Sequence, residues 1–137
     1  MNKEELLELL NVLNFPKDDY YILSSGCLLL YGLREKANDL DLCISKRLFD
    51  ELKEKYNISD KDKNQCGFYK ILDNVEVVVN NKEILDREFK DGYPVEKLET
   101  ILKFKESRNL EKDKNDIKKI KEYLASNINI RKMKNEI

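Results

Sequence analysis

Residues Leu23–Ile44, LSSGCLLLYGLREKANDLDLCI, decide how this chain folds. They begin with a turn of small residues, Ser24-Ser25-Gly26, followed by an apolar run from Cys27 to Leu33 that predicts a helix. Polar residues then lead to a second apolar segment that starts at Asp39. The stretch therefore predicts a turn, a helix and a strand in close succession.

The strand carries two carboxylates, because Asp39 and Asp41 alternate with Leu40 and Leu42. Strand residues two apart point to the same face, roughly 6–7 Å from each other. Two like charges at that separation repel unless a positive group lies between them, and a divalent cation is the usual one. The alternation therefore predicts a metal site, and its alternative is a solvated strand whose charges alternate by chance.

Composition limits the chemistry that is available. The chain has 137 residues, 39% of them charged, with a net charge of −1 and no histidine. The length predicts one domain, and the absence of histidine excludes His-based triads and His-ligated zinc. No apolar run reaches the roughly 18 residues of a membrane span, so a cytoplasmic protein is expected, with no membrane partner. Its three cysteines, Cys27, Cys43 and Cys66, lack metal-ligand spacing and are expected to be reduced.

Hydrophobic periodicity predicts the remaining elements. Helices are expected over Asn2–Leu13, Lys46–Tyr56 with Ser45 as N-cap, Asn81–Asp91 as a short helix and turn, from Val95 onward, and Glu111–Leu124. Strands are expected over Tyr20–Leu23, Gly67–Leu72 and Val75–Val79, and Asp73-Asn74 is expected to join the last two as a hairpin turn. Gly92-Tyr93-Pro94 is expected to break the helix that precedes it. The tail from Ser126 is expected to be frayed or loosely docked. Together these elements predict an α+β fold, a small mixed β-sheet with helices packed on one side, followed by C-terminal helices. The core is expected over about 20–80 and the C-terminal helical part over about 95–125.

The order of turn, helix and Asp-x-Asp strand resembles the signature of the nucleotidyltransferase (polymerase-beta-like) superfamily. The block Tyr31-Gly32-Leu33-Arg34, just before Asp39-Leu40-Asp41, is typical of the small bacterial AbiEii-toxin and minimal-nucleotidyltransferase proteins. The resemblance covers the chain from about Tyr20 onward. It implies an enzyme that moves a nucleoside monophosphate from a nucleoside triphosphate to an acceptor hydroxyl and releases pyrophosphate.

The resemblance also implies a set of metal ligands. Asp39 and Asp41 would bind Mg²⁺, or Mn²⁺, together with a third carboxylate on a neighbouring strand. Glu76 stands among valines in the segment Val75–Val79 and matches that third position. It would bind the catalytic metal and help to deprotonate the attacking hydroxyl. The alternative for Glu76 is a charge that points outward from the sheet.

Two further groups would bind the nucleotide. A turn at a helix N-terminus exposes backbone N–H groups, so Ser24, Ser25 and Gly26 are candidates for cradling the phosphates, with Arg34 beside them. The family's Gly-Ser pair falls here on Ser24-Ser25 or Ser25-Gly26, so the phosphate-binding register is open. The alternative for the turn is an ordinary helix start.

The second nucleotide-binding group is a late block, KESRNLEKDKND over 105–116. It matches a late motif of the family at Lys105, Lys112, Asp113 and Asp116. Lys105 would neutralise charge on the pyrophosphate as a catalytic residue, and Lys112 and Asp113 would bind nucleotide. Asp113 would either orient Lys105 or receive the substrate. Solubilising charge alternation on a helix is the alternative.

Three other functions fit parts of the sequence. The fold could serve a catalytically weak or inactive binding or regulatory protein of the toxin–antitoxin type. An Asp-x-Asp sugar transferase leaves the turn and apolar helix unexplained. A carboxylate-and-lysine nuclease expects Glu-x-Lys on a strand, whereas Glu76 precedes Val77 and Val78.

The acceptor stays open among RNA, a tRNA end, a protein side chain and a small molecule. Residues 102–134 carry 11 basic and 5 acidic side chains, a net charge of +6, which suits a phosphate-rich partner. Because the chain is short, a homodimer or a protein partner is expected to complete the site.

Overall fold

The computed structural model describes residues 1–80 and 86–135, with side chains described as far as 127. Contacts group the chain into two compact units, 1–96 and 97–137, and the single-domain interpretation stays a prediction. The described residues form the following elements: α1 Lys3–Leu13, β1 Tyr20–Ile22, α2 Ser24–Leu30, β2 Leu40–Ser45, α3 Lys46–Lys55, β3 Tyr69–Leu72, β4 Val75–Asn80, β5 Glu88–Lys90, β6 Tyr93–Val95, α4 Leu98–Arg108 and α5 Lys114–Asn135.

The first unit is built on a six-stranded mixed sheet in the order β3-β4-β2-β1-β6-β5. The pair β2–β4 is parallel, as is β1–β6, whereas β1–β2, β3–β4 and β5–β6 are antiparallel. The predicted α+β class with a small mixed sheet is confirmed. At the centre of the sheet, β2 pairs with β4 over its whole length, from Leu40↔Val75 to Ser45↔Asn80.

One face of this sheet carries helices α2 and α3 of the first unit. Leu42, Val77 and Tyr69 are paired across three strands and therefore share a face. The Phe49 ring of α3 packs 4.8 Å from that of Tyr69, centroid to centroid. Helix α2 lies on the same face, because a Cβ added to Gly26 would come within 3.5 Å of Leu40 Cδ1. Asp41 and its partner Glu76 point to the opposite face.

Caps and turns define the helix ends. The Asn2 side chain accepts from the Glu5 N–H at 2.9 Å in a capping box, and Ser45 caps α3 as predicted by accepting from the Leu48 N–H at 3.1 Å. The prediction for α2 was wrong by three residues at each end. Its small-residue turn is already helical, and Gly32, with φ of +73°, ends the helix because glycine adopts that conformation without steric cost.

The segment before the C-terminal helices was also predicted wrongly. Residues 81–85 of the predicted helix over Asn81–Asp91 lie outside the described residues, but Glu88–Lys90 and Tyr93–Val95 form a β-hairpin. Its turn is Asp91-Gly92, both with positive φ, which is a strong hairpin signal. Pro94 was read as a breaker, yet it sits inside β6.

The second unit consists of α4 and α5, which pack on each other. Leu98, Ile101 and Ile120 are fully buried or nearly so. Helix α5 runs to Asn135, so the backbone from Ser126 to that residue is helical rather than frayed, and the alternative of a loosely docked tail stays a prediction. Among the described residues, no helix is long and apolar enough to cross a membrane.

Candidate functional site

The parallel pairing of β2 and β4 brings two predicted metal ligands together. Asp41 is the register partner of Glu76, and paired residues of neighbouring strands point to the same face, about 4.8 Å apart along the hydrogen-bonding direction. Both side chains are half-buried. They lie on the face opposite the helices, because Leu40 and Leu42 on either side of Asp41 point into the core.

Asp39 lies just before β2 rather than within it, and it is exposed. The ladder begins one residue later, where the Leu40 N–H donates to the Asn74 carbonyl at 2.8 Å. Asp39 is nevertheless close enough for its charge to act on Asp41. The three predicted ligands therefore form one electrostatic cluster, with Asp41 at its centre.

Asp41 is held in a costly environment. Burial raises its pKa from 3.8 to about 6, and the neighbouring charges of Glu76 and Asp39 add to the rise. Its Oδ1 is buried and has no hydrogen-bond partner among the described residues. Buried carboxylate oxygens are normally hydrogen-bonded. This oxygen is therefore an unused acceptor, on a side chain that also experiences the charges of Glu76 and Asp39.

The carboxylates do not yet form a closed metal cage. Within 1–80 and 86–135, no three His, Cys, Asp or Glu side chains are arranged as a group that could hold a metal by themselves. Mg²⁺ commonly takes only one or two protein carboxylates and completes its shell with water and substrate phosphates. The donor set, all hard oxygen atoms, fits that mode of binding.

The predicted phosphate turn lies directly beside Asp41. The Leu23 N–H donates to the Asp41 carbonyl at 2.9 Å, which fixes the start of α2 against β2. Ser24 has φ of +37°, an unusual and strained conformation for serine. Its N–H donates to Oε1 of Glu96 at 3.0 Å, so a carboxylate of the same chain already binds one backbone donor of the turn.

Gly26 is explained by packing. A Cβ there would come within 2.7 Å of Ile22 Cγ2, closer than real Cβ contacts allow. The glycine therefore permits α2 to approach β1, and its predicted contact with phosphate stays a prediction. Arg34 is half-buried, and its Nε donates to the Lys36 carbonyl at 3.1 Å; its predicted role in nucleotide binding is likewise untested.

In the second unit, Lys105 lies in a buried ion-pair network. Its ammonium is 3.2 Å from Asp113 Oδ1 and 3.3 Å from Asp116 Oδ2, and the residue is 3% exposed. Arg108 donates from Nε and Nη2 to both oxygens of Asp113. These donors, Arg108 first, lower the pKa of Asp113 to about 2.

This network links the end of α4 to the start of α5. Lys105, Asp113 and Asp116 of the late block therefore hold the two helices together. The roles predicted for Lys105, Lys112 and Asp113 in catalysis or nucleotide binding stay predictions. Lys112 is exposed.

The sequence did not point to two residues of the candidate site, Glu96 and Lys70. Glu96 follows β6, and the hairpin turn Asp91-Gly92 was the signal that could have located it. Lys70 is the register partner of Glu76 across the β3–β4 hairpin, and the predicted turn Asp73-Asn74 already implied that β3 and β4 pair.

No model of a known protein family, no curated protein and no solved structure matches the chain. The resemblance to nucleotidyltransferases therefore stays a prediction that depends on the motif residues.

Proposed function

We propose that this protein is a metal-dependent nucleotidyltransferase, which moves a nucleoside monophosphate from a nucleoside triphosphate to an acceptor hydroxyl and releases pyrophosphate. The observation that carries the proposal is the pairing of Asp41 with Glu76, with a buried Asp41 oxygen that no described residue hydrogen-bonds. Asp39 adds a third negative charge to this cluster.

A purely structural explanation fits this cluster less well. A solvated strand would expose its carboxylates to water, whereas Asp41 Oδ1 has almost no accessible surface. A structural ion pair would supply a cation, but within the described residues no ion pair involves Asp41. The pKa of Asp41, raised to about 6, means that ionising it in the folded protein is unfavourable. Binding of a cation would offset that cost.

Asp39, Asp41 and Glu76 would hold Mg²⁺, or Mn²⁺, together with phosphate oxygens of the substrate. When bound, the metal would neutralise phosphate charge during an in-line displacement. Asp41 would fix the ligand position because its strand, β2, is held between β1 and β4. Glu76, on the neighbouring strand, would orient the acceptor hydroxyl and take its proton.

A second candidate is a nucleotide-binding or regulatory protein with little or no catalysis. Two observations favour it. Glu96 already accepts the Ser24 N–H in the predicted phosphate turn, and the described carboxylates are not arranged as a complete metal group. On this alternative, the protein binds Mg–triphosphate without transferring the nucleotide.

Label transfer separates the two candidates. The protein would be incubated with each of the four nucleoside triphosphates, labelled at the α-phosphate, with Mg²⁺ and with total RNA or cell lysate. We expect transfer of label to a macromolecule or small molecule, release of pyrophosphate, and loss of both in Asp41→Asn and Glu76→Gln. Glu54→Gln, which removes an exposed carboxylate from α3, is the matched control.

Each outcome points to one function. Binding of Mg–triphosphate by calorimetry without label transfer would favour the regulatory protein. Cleavage of the RNA without label transfer would favour the carboxylate-and-lysine nuclease. Equal triphosphate binding by wild type and Asp41→Asn would refute the assigned site.

A further inference from the structure

We infer that Lys70 is the lysine that contacts the phosphates of the substrate, an inference that rests on the nucleotidyltransferase or triphosphate-binding function proposed above. The sequence motif assigned this task to Lys105. The structure offers Lys70 instead, on the same sheet face as the paired carboxylates.

Strand pairing places Lys70 in line with the two carboxylates. Lys70 pairs with Glu76 across β3–β4, and Glu76 pairs with Asp41 across β2–β4. Because paired residues share a face, the three side chains form a row across three neighbouring strands. Two strand spacings of about 4.8 Å make this row about 10 Å long at the backbone.

Lys70 is also available to a ligand. It is exposed, and among the described residues its ammonium makes no hydrogen bond or ion pair. It borders a shallow groove with Asp62 and Asp73, but neither carboxylate lies within ion-pair distance of it. A flexible ammonium beside a cation-binding carboxylate pair suits an anion that carries several negative charges, which describes a triphosphate.

Lys105 differs in each of these respects. It is buried, and its ammonium already contacts two carboxylates, Asp113 and Asp116. Releasing it to a phosphate would break both of these buried ion pairs, although Arg108 would still donate to Asp113, and breaking a buried ion pair is unfavourable. The two lysines therefore have separable tasks: Lys105 holds the C-terminal helices together, and Lys70 binds substrate.

Two probes test this assignment separately from the proposed function. Mn²⁺ alone reports on the carboxylates, and Mg²⁺ with inorganic tripolyphosphate reports on phosphate recognition without a base. We expect Lys70→Met to weaken tripolyphosphate binding by at least about tenfold, the effect of losing one charge-assisted hydrogen bond. Its affinity for Mn²⁺ should stay the same or rise, because removal of an ammonium lowers the local repulsion of cations.

Two further variants complete the design. Lys70→Arg keeps the charge and should stay within about threefold of wild type for tripolyphosphate. Lys61→Met removes an exposed lysine from a neighbouring turn and should bind both probes as wild type does.

The outcomes are distinct. Wild-type tripolyphosphate affinity in Lys70→Met, with Mn²⁺ binding intact, would overturn the assignment of Lys70 and leave the proposed function standing. Weaker binding of both probes by Lys70→Met would mean that Lys70 merely supports the carboxylates, which also overturns it. If wild type binds neither probe, the assignment and the proposed function fall together.

Discussion

Replacement of Asp41 by asparagine should stabilise the protein while it removes the proposed metal site. Burial and the charges of Glu76 and Asp39 raise the pKa of Asp41 from 3.8 to about 6. Each pKa unit corresponds to about 1.4 kcal/mol, so the ionised side chain costs the folded state at most about 3 kcal/mol above pH 6, and solvent screening of this half-buried side chain reduces that cost. Asparagine has nearly the same shape and carries no charge, so Asp41→Asn should recover much of that free energy.

The sign of the pH dependence follows from the direction of the shift. A carboxylate whose pKa is raised by folding binds a proton more tightly in the folded state, so wild type gains stability as the pH falls from 7 towards 4. Between pH 7.5 and 4.5, wild type should gain stability relative to Asp41→Asn, by at most about 2 kcal/mol. Any constant cost of burying the amide is the same at both pH values and cancels in this difference.

Urea unfolding at pH 7.5 and pH 4.5, in the absence of divalent cations, measures the stability difference between Asp41→Asn and wild type and its change with pH. Glu54→Gln is the control, since an exposed carboxylate on α3 should give no such pH-dependent difference. The reasoning fails if Asp41→Asn is less stable than wild type at pH 7.5, or if the stability difference between them is the same at both pH values.

Three other substitutions or titrations test the packing and the C-terminal network. Lys105→Met should destabilise the C-terminal helices by about 3 kcal/mol, the lower end of the range for a broken buried ion pair, because it removes the ammonium that Asp113 and Asp116 share while Arg108 still pairs with Asp113. Circular dichroism melting should show this, and the exposed-site control Lys103→Met should melt like wild type. The pKa of Asp113 is lowered to about 2, so its ion pairs stabilise the fold by about 2 kcal/mol above pH 4, and this stabilisation is lost as the pH falls towards 2. Helicity followed during acid titration should therefore fall between pH 4 and pH 2, and this fall should be absent in Asp113→Asn. Gly26→Ala should cost about 1–3 kcal/mol by overpacking against Ile22, which a lowered urea midpoint would report and an unchanged midpoint would contradict.

Local signals in the sequence predicted the central part of the fold. The alternation at Asp39–Leu42 and the valine-rich segment Val75–Val79 located β2 and β4, and Ser45 located the start of α3, because periodicity and capping act over a few residues. The β5–β6 hairpin was missed because Pro94 was given more weight than the Asp91-Gly92 turn. In this chain the turn determined the local structure, since both of its residues adopt the positive φ that such a hairpin requires.

The candidate site was only partly predictable, because its composition depends on which strands pair. The sequence nominated Asp41 and Glu76 separately, and the parallel register between β2 and β4 made them neighbours. That register lies between strands about 35 residues apart, so no local pattern encodes it. Glu96 was missed for the same reason, since its contact with Ser24 spans 72 residues.

The site also shows why a motif can locate a residue without giving its task. The late block predicted that Lys105 and Asp113 belong together, and they do form an ion pair. Spacing along a helix, however, cannot tell a buried pair from one that is open to substrate, because both use the same residue types at the same intervals. Burial separates the two cases. Lys105 is buried in ion pairs with Asp113 and Asp116, whereas Lys70 is exposed on the same sheet face as Asp41 and Glu76 and is the lysine that we propose for phosphate binding.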